Sequence, residues 1–307
     1  MKFIKFIISI ILLINTQIIH ADNLNFEEIQ PGIFVHQGEH LDVDDGYHGD
    51  IANIGFIIGD DSVAVIDTGG SLEVGEKLLK AIREKTNLPV SYVINTHVHL
   101  DHIYGNAAFI KENPIFVGHS ELPKAMRLRK DFYEITNQNY LNIPPEKSIQ
   151  IPPTLLISIN EPQEINIGNR KLRLEAFPTA HTNNDLIVVD INTKTAWLSD
   201  LMFTERTPSM DGDIHGWIDA LEIIKKNNYK LIIPGHGTPP KNNKEAIQKI
   251  KSYLELLRTE IRKAIDDGMD LQDAVETIAS SEKNKWELFD VQNARNINMV
   301  YPIMEWE

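Results

Sequence analysis

The stretch Thr96-His97-Val98-His99-Leu100-Asp101-His102 concentrates three imidazoles and one carboxylate in seven residues. It comes one residue after Tyr92-Val93-Ile94, an apolar run that predicts a buried strand. The chain contains no cysteine, so a metal bound here has nitrogen and oxygen ligands, and imidazole with carboxylate suits zinc. Because open α/β sheets hold ligands at the carboxyl ends of their strands, the stretch predicts a metal site at a sheet edge.

The spacing within this stretch separates two pairs of side chains. In extended chain, side chains two residues apart point the same way, so His97 and His99 can share one metal ion. Asp101 and His102 are adjacent and diverge. If a helix begins here, both lie in its first turn and face a second position, where the helix N-terminus stabilises the carboxylate.

Three further residues extend the predicted site, because each comes close after a strand-like run. They are His181 after residues 172–176, Asp200 after Ala196-Trp197-Leu198, and His236 after Leu231-Ile232-Ile233. Since strand ends meet at the edge of a sheet, we expect these side chains to join the first stretch in one cleft.

Five motifs, in this order, resemble those of the metallo-β-lactamase superfamily. They are Val65-Ile66-Asp67-Thr68-Gly69-Gly70, His97-x-His99-x-Asp101-His102, His181, Asp200 and His236. The resemblance runs from about Gly32 to the C-terminus and implies an α/β fold, the αββα sandwich. It also implies two zinc ions per chain. The implied ligands are His97, His99 and His181 for one ion, Asp101, His102 and His236 for the other, and Asp200 as the bridge.

Finer resemblances narrow the branch of the superfamily. A carboxylate at the position of Asp200, where some zinc β-lactamases carry cysteine, is more similar to the glyoxalase II and lactonase branches. Four stretches resemble the periplasmic subfamily named quinoprotein relay system zinc metallohydrolase, which is related to a protein of sulfur-oxidation loci. The stretches are Gly49–Phe56, Ile94–His99, Pro178–Asp185 and Glu305–Glu307. They imply a functional link to a quinoprotein dehydrogenase system and leave the physiological substrate open.

The predicted reaction is hydrolysis of an ester, thioester, lactone or amide bond. Two zinc ions about 3.5 to 4 Å apart lower the pKa of a bridging water toward about 7, which supplies hydroxide at neutral pH. Asp101 is placed to orient that hydroxide and pass on its proton, so it is the candidate catalytic residue. Two alternatives stay open: a mononuclear iron oxidoreductase similar to persulfide dioxygenases, and an accessory protein of a periplasmic quinoprotein dehydrogenase system.

Residues 1–21 are typical of a secretory signal. Two lysines precede the apolar run Phe6–Ile14, and Ala21 suits the cleavage position. The run is far shorter than the roughly 20 residues that span a bilayer, so we expect export to the periplasm without stable membrane insertion. The predicted ligands lie far apart in the remaining sequence and must face one cleft, so we expect residues 22–307 to form one hydrolase domain.

The charge of the chain disfavours nucleic-acid substrates. The formal net charge is −14, and loss of Lys2 and Lys5 with the signal would make it −16. A nucleic-acid-processing enzyme needs a basic surface, and no cluster of lysine and arginine lies near the predicted ligands in the sequence. We therefore expect a small-molecule substrate and no nucleic-acid partner.

Apolar patterns predict two sheets with helices outside them. Strands are predicted at Ile33–Val35, Ile54–Ile58, Val63–Ile66, Tyr92–Ile94, Ile115–Val117, Leu155–Ile157, Leu172–Phe177, Leu186–Ile191 and Thr195–Leu198. Helices are predicted at Leu72–Lys85, Ile214–Lys226 and Lys241–Ile265. The stretch Pro123–Pro145 is predicted as a helix followed by a loop that either covers the cleft or lies on the surface.

Single residues outside the ligand set carry weaker predictions. Asp67 is predicted to orient the ligand loop by hydrogen bonds. Asp185 is predicted to serve either as an acceptor behind a ligand or as an ordinary residue at a strand start. His48 is predicted to lie on a surface loop. The other histidines have no companions at ligand spacing and are expected to be solvated or to cap elements: His36, His40, His119 and His215.

Overall fold

Two β-sheets pack face to face in this chain, and helices cover the outer face of each. The computed structural model describes residues 23–307, and the predicted signal segment, residues 1–21, lies outside the described residues. The layers are helix, sheet, sheet and helix, so the predicted αββα sandwich is confirmed. Within residues 23–307, no helix is both long enough and apolar enough to cross a membrane.

The first sheet contains seven strands of the described chain, paired in chain order. They are β1 (Glu27–Gln30), β2 (Ile33–His36), β3 (Ile54–Ile58), β4 (Val63–Ile66), β5 (Val90–Ile94), β6 (Ile115–His119) and β7 (Leu155–Ile157). Neighbours from β1 to β4 are antiparallel, and neighbours from β4 to β7 are parallel. The parallel strands therefore end at one edge, where the histidine-rich stretch follows β5.

The second sheet contains five strands of the described chain, in the order β12-β11-β10-β9-β8. They are β8 (Gln163–Asn166), β9 (Lys171–Ala176), β10 (Leu186–Asp190), β11 (Thr195–Phe203) and β12 (Leu231–His236). β11 and β12 are parallel, whereas the other neighbours are antiparallel. A hydrogen bond of 2.8 Å from the Leu186 amide to the Thr96 carbonyl joins the two sheets beside the ligand loop.

Helices are distributed on both outer faces. They are α1 (Leu72–Lys85), α2 (Leu100–Ile103), α3 (Leu122–Leu141), α4 (Ile214–Lys226), α5 (Asn243–Asp266), α6 (Leu271–Thr277) and α7 (Phe289–Glu305), with 3₁₀ segments at Tyr104–Glu112, Pro145–Lys147 and Ser280–Glu282. Side-chain caps set four of the starts; for example, Ser71 accepts from the Val74 amide, and Asn242 accepts from the Glu245 amide.

Apolar side chains fill the three interfaces between the layers. Between the sheets, Ile66 and Ile94 belong to the same buried cluster as Trp197 and Ile233. α1 covers the outer face of the first sheet, and α4, α5 and α7 cover the outer face of the second. Each buried aliphatic or aromatic side chain contributes about 1.5 to 3 kcal/mol. This packing fixes the strand ends and therefore the polar side chains that follow them.

The predicted helices Leu72–Lys85 and Ile214–Lys226 are confirmed at both ends. The predicted helix Lys241–Ile265 begins two residues later, after its capping residue. Four elements were not predicted. β1 and β8 are edge strands with mostly polar, exposed residues. α6 is short, and α7 contains Pro302 and buries polar side chains, so its apolar spacing is interrupted.

Candidate metal centre

Four of the seven predicted ligands form one group, called here the first cluster, where the two sheets meet. His97 and His99 lie between β5 and α2, and His181 lies between β9 and β10. Nδ1 of His99 is 3.0 Å from Nε2 of His97 and 3.1 Å from Nε2 of His181. Asp200 completes the cluster, with Oδ2 3.3 Å from Nε2 of His181. Three imidazole nitrogens and one carboxylate oxygen therefore converge.

The other three predicted ligands form the second cluster, beside the first. Asp101 and His102 belong to the first turn of α2, as predicted, and His236 lies on β12. Oδ2 of Asp101 lies 3.6 Å from Nε2 of His102 and 3.5 Å from Nε2 of His236. Asp200 reaches this cluster too, at 3.3 Å from each of the same two nitrogens. All seven residues thus lie together, and Asp200 contacts both clusters.

The backbone around Asp200 differs from the sequence prediction. Asp200 lies inside β11, and His236 is the last residue of β12, so neither lies beyond its strand. The pairing of β11 with β12 shifts on both sides of Ser199, whose φ is 47°. A Cβ built on Gly235 would lie 1.8 Å from Oδ1 of Asp200. This irregularity and this glycine let the carboxylate turn into the site.

Four imidazoles of the site have one ring nitrogen beside a protein acceptor. The pairs are His99 Nε2 with Asp211 Oδ2 at 2.9 Å, His102 Nδ1 with Asp67 Oδ2 at 2.8 Å, His181 Nδ1 with the Ser209 carbonyl at 2.7 Å, and His236 Nδ1 with the Ile51 carbonyl at 2.7 Å. Each ring can therefore donate outward, and in its neutral form it presents an unprotonated nitrogen inward. Unprotonated nitrogens that face one another repel, and a cation between them removes that repulsion.

The protonation states that the surroundings favour for three imidazoles and for Asp200 also suit a metal. Burial lowers the pKa of His97 well below its ordinary value, that of His181 to about 3, and that of His236. His102 differs: burial opposes charge on it, but the neighbouring carboxylates, Asp200 foremost, raise its pKa well above the ordinary value, so a bound cation would have to displace a proton from this ring. Burial likewise opposes charge on Asp200, yet the surrounding imidazoles, His236 foremost, lower its pKa well below the ordinary value. Neutral imidazole and ionised carboxylate are the forms that bind metal.

Two buried atoms of the site have no hydrogen-bond partner among the described residues. They are Nε2 of His102 and Oδ1 of Asp200, which face each other at 3.3 Å. A buried polar atom left unpaired costs about 1 to 3 kcal/mol. A divalent cation between these atoms would satisfy both. The residues present therefore fit a dinuclear metal centre.

A cavity of about 700 Å³ adjoins both clusters, and its lining includes Asp101, Asp200 and His236. This volume falls within the range of about 300 to 1,000 Å³ that is typical of small-molecule sites. Arg129 and Phe132 of α3 form part of the wall. Residues 129–133 of the stretch Pro123–Pro145 thus form one wall of the cleft.

The site contains residues that sequence reasoning missed. Oδ2 of Asp211 lies 2.9 Å from Nε2 of His99 and 2.7 Å from Nη2 of Arg129. Neither residue belongs to a local ligand pattern, so only the fold brings them together. The prediction that no basic cluster lies near the ligands holds along the sequence. It does not hold in space, because Arg129, Arg206 and Arg295 all line the cavity.

Two acidic residues outside the ligand set hold the loops of the site. Asp67 accepts hydrogen bonds from the amide and the hydroxyl of Thr96, at 2.8 and 2.7 Å, besides its contact with His102. Asp185 directly precedes β10 and accepts from the amide and the hydroxyl of Thr182, at 2.9 and 2.6 Å. Burial raises the pKa of Asp185 to about 7. Both residues therefore position ligand-bearing loops through hydrogen bonds.

The remaining histidines divide between expectation and correction. His48 is exposed on a loop, as predicted, and buried His119 accepts a hydrogen bond from the Glu121 amide next to α3. His36 contradicts the expectation of a solvated or capping residue. It is buried, and its Nε2 lies 2.8 and 2.9 Å from the two carboxylate oxygens of Asp50. The two residues form a buried pair because the chain before β3 folds back against β2.

Solved structures with this fold include two metallo-β-lactamases. The enzyme from Pontibacter korlensis has a TM-score of 0.61 and 18% identity, and the match covers 76% of this chain and 99% of that one. The enzyme from Hirschia baltica has a TM-score of 0.59 and 16% identity, and the match covers 76% and 97%. At such identities the likeness shows the fold alone.

Sequence comparison adds one short match and one long match. A linear primary-alkylsulfatase of Pseudomonas sp. is 33% identical over 58 residues, which are 19% of this chain and 11% of the sulfatase. Residues 48–236 match the metallo-beta-lactamase superfamily. This segment is more than half of the chain and contains every predicted ligand, from His97 to His236. On that match, the protein belongs to the metallo-beta-lactamase superfamily.

Proposed function

We propose that this protein is an exported dinuclear zinc hydrolase that cleaves an ester, thioester, lactone or amide bond of a small molecule. The observation that carries the proposal is the position of Asp200, which contacts both clusters at 3.3 Å beside a cavity of about 700 Å³. Zinc suits the donor set because every donor is an imidazole or a carboxylate. The superfamily itself consists in general of metal-dependent hydrolases.

In this proposal the chain's own residues orient the reactants and move the proton. Two bound zinc ions supply a nucleophile, since zinc lowers the pKa of a coordinated water to about 7. Asp101 lines the cavity, and its Oδ2 lies 3.5 Å from Nε2 of His236. Its carboxylate is therefore placed to accept the proton of the attacking water and pass it to the leaving group. Asp211 keeps the ring of His99 in the orientation that a ligand needs.

The second cluster favours this proposal over the alternatives. A mononuclear iron oxygenase uses two histidines and one carboxylate, which would leave four of the seven ligand residues without a role. An accessory protein has no need of two complete clusters beside a cavity.

We further propose a periplasmic role linked to a quinoprotein dehydrogenase system, with residues 22–307 as one mature domain. This proposal rests on the four stretches that resemble the quinoprotein relay system zinc metallohydrolases.

Protein isolated from its native compartment is expected to contain two zinc ions per chain, because seven donor residues form two adjacent clusters. Elemental analysis measures the content, and a panel of esters, thioesters, lactones and amides measures hydrolysis before chelation, after it, and after zinc is restored. Activity should disappear and return with the zinc. One tightly held iron ion without zinc would contradict the hydrolase and favour the dioxygenase alternative.

The exported form is expected to begin at Asp22, because the apolar segment Phe6–Ile14 is too short to span a bilayer and Ala21 suits cleavage. Mass spectrometry of the protein from the periplasmic fraction tests this start. Leu12→Asp, which interrupts the apolar segment, should leave the uncleaved chain in the cytoplasm. Recovery of wild-type chain with residues 1–21 intact in the membrane fraction would refute the proposal.

A further inference from the structure

Arg206 is a buried cation in the cavity wall. The residue is 4% exposed and lines the cavity together with Asp200 and His236. Among residues 23–307, no carboxylate forms an ion pair with its guanidinium, and its Nε has no hydrogen-bond partner. A buried charge is strongly disfavoured unless an anion or a set of acceptors compensates the lost hydration.

Within residues 23–307, the one side-chain hydrogen-bond contact of Arg206 does not compensate its charge. Nη1 of Arg206 lies 3.2 Å from Nδ1 of His236. That nitrogen is 2.7 Å from the Ile51 carbonyl, which can only accept, so Nδ1 carries the proton. Two N–H groups then face each other without a hydrogen bond. The donors of the guanidinium are therefore left for another acceptor.

The other arginines of the cavity wall already have carboxylate partners. Arg129 pairs with Asp211 at 2.7 Å, and the two Nη atoms of Arg295 lie 2.5 and 3.0 Å from Asp42. The carboxylates of the two clusters serve the metal ions in the proposed function. Within the described lining, the charge of Arg206 is thus the one without its own anionic partner.

An apolar wall faces the same space. Phe132 of α3, Met210, and Met299 of α7 all line the cavity. Phe132 is 66% exposed and Met299 is 38% exposed, whereas Tyr133, the next residue on α3, is buried. Large apolar side chains exposed within a cavity are typical of a site for the apolar part of a ligand.

We propose that the substrate is an amphiphilic anion, whose carboxylate or sulfate binds Arg206 and whose hydrocarbon part packs on Phe132, Met210 and Met299. The inference rests on the proposed function, because it names the substrate class of the same cavity. Arginine binds both anions through charge-assisted hydrogen bonds. Because the chain carries a net charge of −14, a local cation such as Arg206 offsets the overall repulsion of such a substrate.

Three eight-carbon probes test the anionic part: octanoate, octyl sulfate and 1-octanol, titrated into zinc-loaded protein by calorimetry. We expect at least one anion to bind about tenfold or more tightly than octanol, and the tighter anion identifies the group. Arg206→Gln should remove this preference while retaining both zinc ions, and Arg206→Lys should keep part of it. Arg127→Gln, an exposed arginine of α3 outside the cavity lining, should change nothing.

Phe132→Ser tests the apolar part, and because Phe132 is 66% exposed, we expect this substitution to leave the fold intact. We expect the ratio of octanoate affinity to butyrate affinity to fall by about fivefold or more, because four methylene groups lose their packing partner. An unchanged ratio in this variant would overturn the apolar part. Equal wild-type affinities for octanol and both anions would overturn the anionic part, whatever the fate of the Arg206 variants.

Unchanged octanoate affinity in Arg206→Gln would also overturn the inference, because it would mean that the anion binds the metal ions alone. If Arg206→Gln does not retain its zinc, Arg206→Lys decides, since wild-type anion preference in that variant would exclude a specific guanidinium contact. These readouts are affinities, so they do not depend on turnover. An ester panel without hydrolysis, together with a retained anion preference, would refute the proposed function and leave this inference standing.

Discussion

Asp101→Asn is expected to lower turnover by a factor on the order of 10² or more, because the amide keeps the shape of the side chain and loses the charge that accepts a proton. The carboxylate lies in the cavity lining, 3.5 Å from His236 and 3.6 Å from His102. Zinc in the first cluster should stay, since Asp101 does not belong to it. Steady-state kinetics and elemental analysis of the same preparation measure both quantities.

A matched control for this variant is Asp131→Asn, which makes the same chemical change at an exposed position of α3 and should leave turnover unchanged. Near wild-type hydrolysis of every substrate by Asp101→Asn would contradict the proposed mechanism. The centre would then have to be one in which Asp101 moves no proton, such as a mononuclear centre.

Asp200→Ala is expected to remove both zinc ions and all detectable hydrolysis, because this carboxylate contacts both clusters. His181→Ala should act differently. It removes one imidazole of the first cluster alone, so about one ion per chain should remain in the second cluster while activity falls. Elemental analysis separates the two results, and circular dichroism shows whether each variant is folded.

The comparison of these two variants tests the shared carboxylate directly. If Asp200→Ala and His181→Ala retain the same number of zinc ions, then Asp200 does not serve both clusters. A folded Asp200→Ala with two zinc ions would contradict the bridging role proposed for Asp200, whose carboxylate contacts both clusters at 3.3 Å.

The layers of the fold could be predicted because buried strands and amphipathic helices carry strong periodic patterns. α1 illustrates this, since Ser71 caps it and Val74, Leu78 and Ile82 repeat along its buried face. Edge strands such as β8 carry no such pattern, because only one of its four residues is buried. α7 escaped prediction because tertiary packing buries Gln292 and other polar side chains that a pattern assigns to solvent.

The ligand residues could be proposed from the sequence because imidazoles at strand ends are chemically distinctive. Their supporting residues could not. Asp211 and His99 lie 112 residues apart in sequence, and Arg206 resembles an ordinary loop arginine until the fold places it beside His236. Such contacts depend on how loops from separate strands meet. A single sequence gives no signal for such a contact when each loop contributes only one residue.

The division of the ligands between the sheets links metal supply to folding. His97, His99, Asp101 and His102 follow a strand of the first sheet, whereas His181, Asp200 and His236 belong to the second. Bound ions would therefore cross-link the two halves of the sandwich. A ligand that binds only the folded chain adds about 2.7 kcal/mol to the free energy of unfolding at a hundredfold excess over its Kd. Thermal stability of this protein would then rise and fall with the free metal concentration around it.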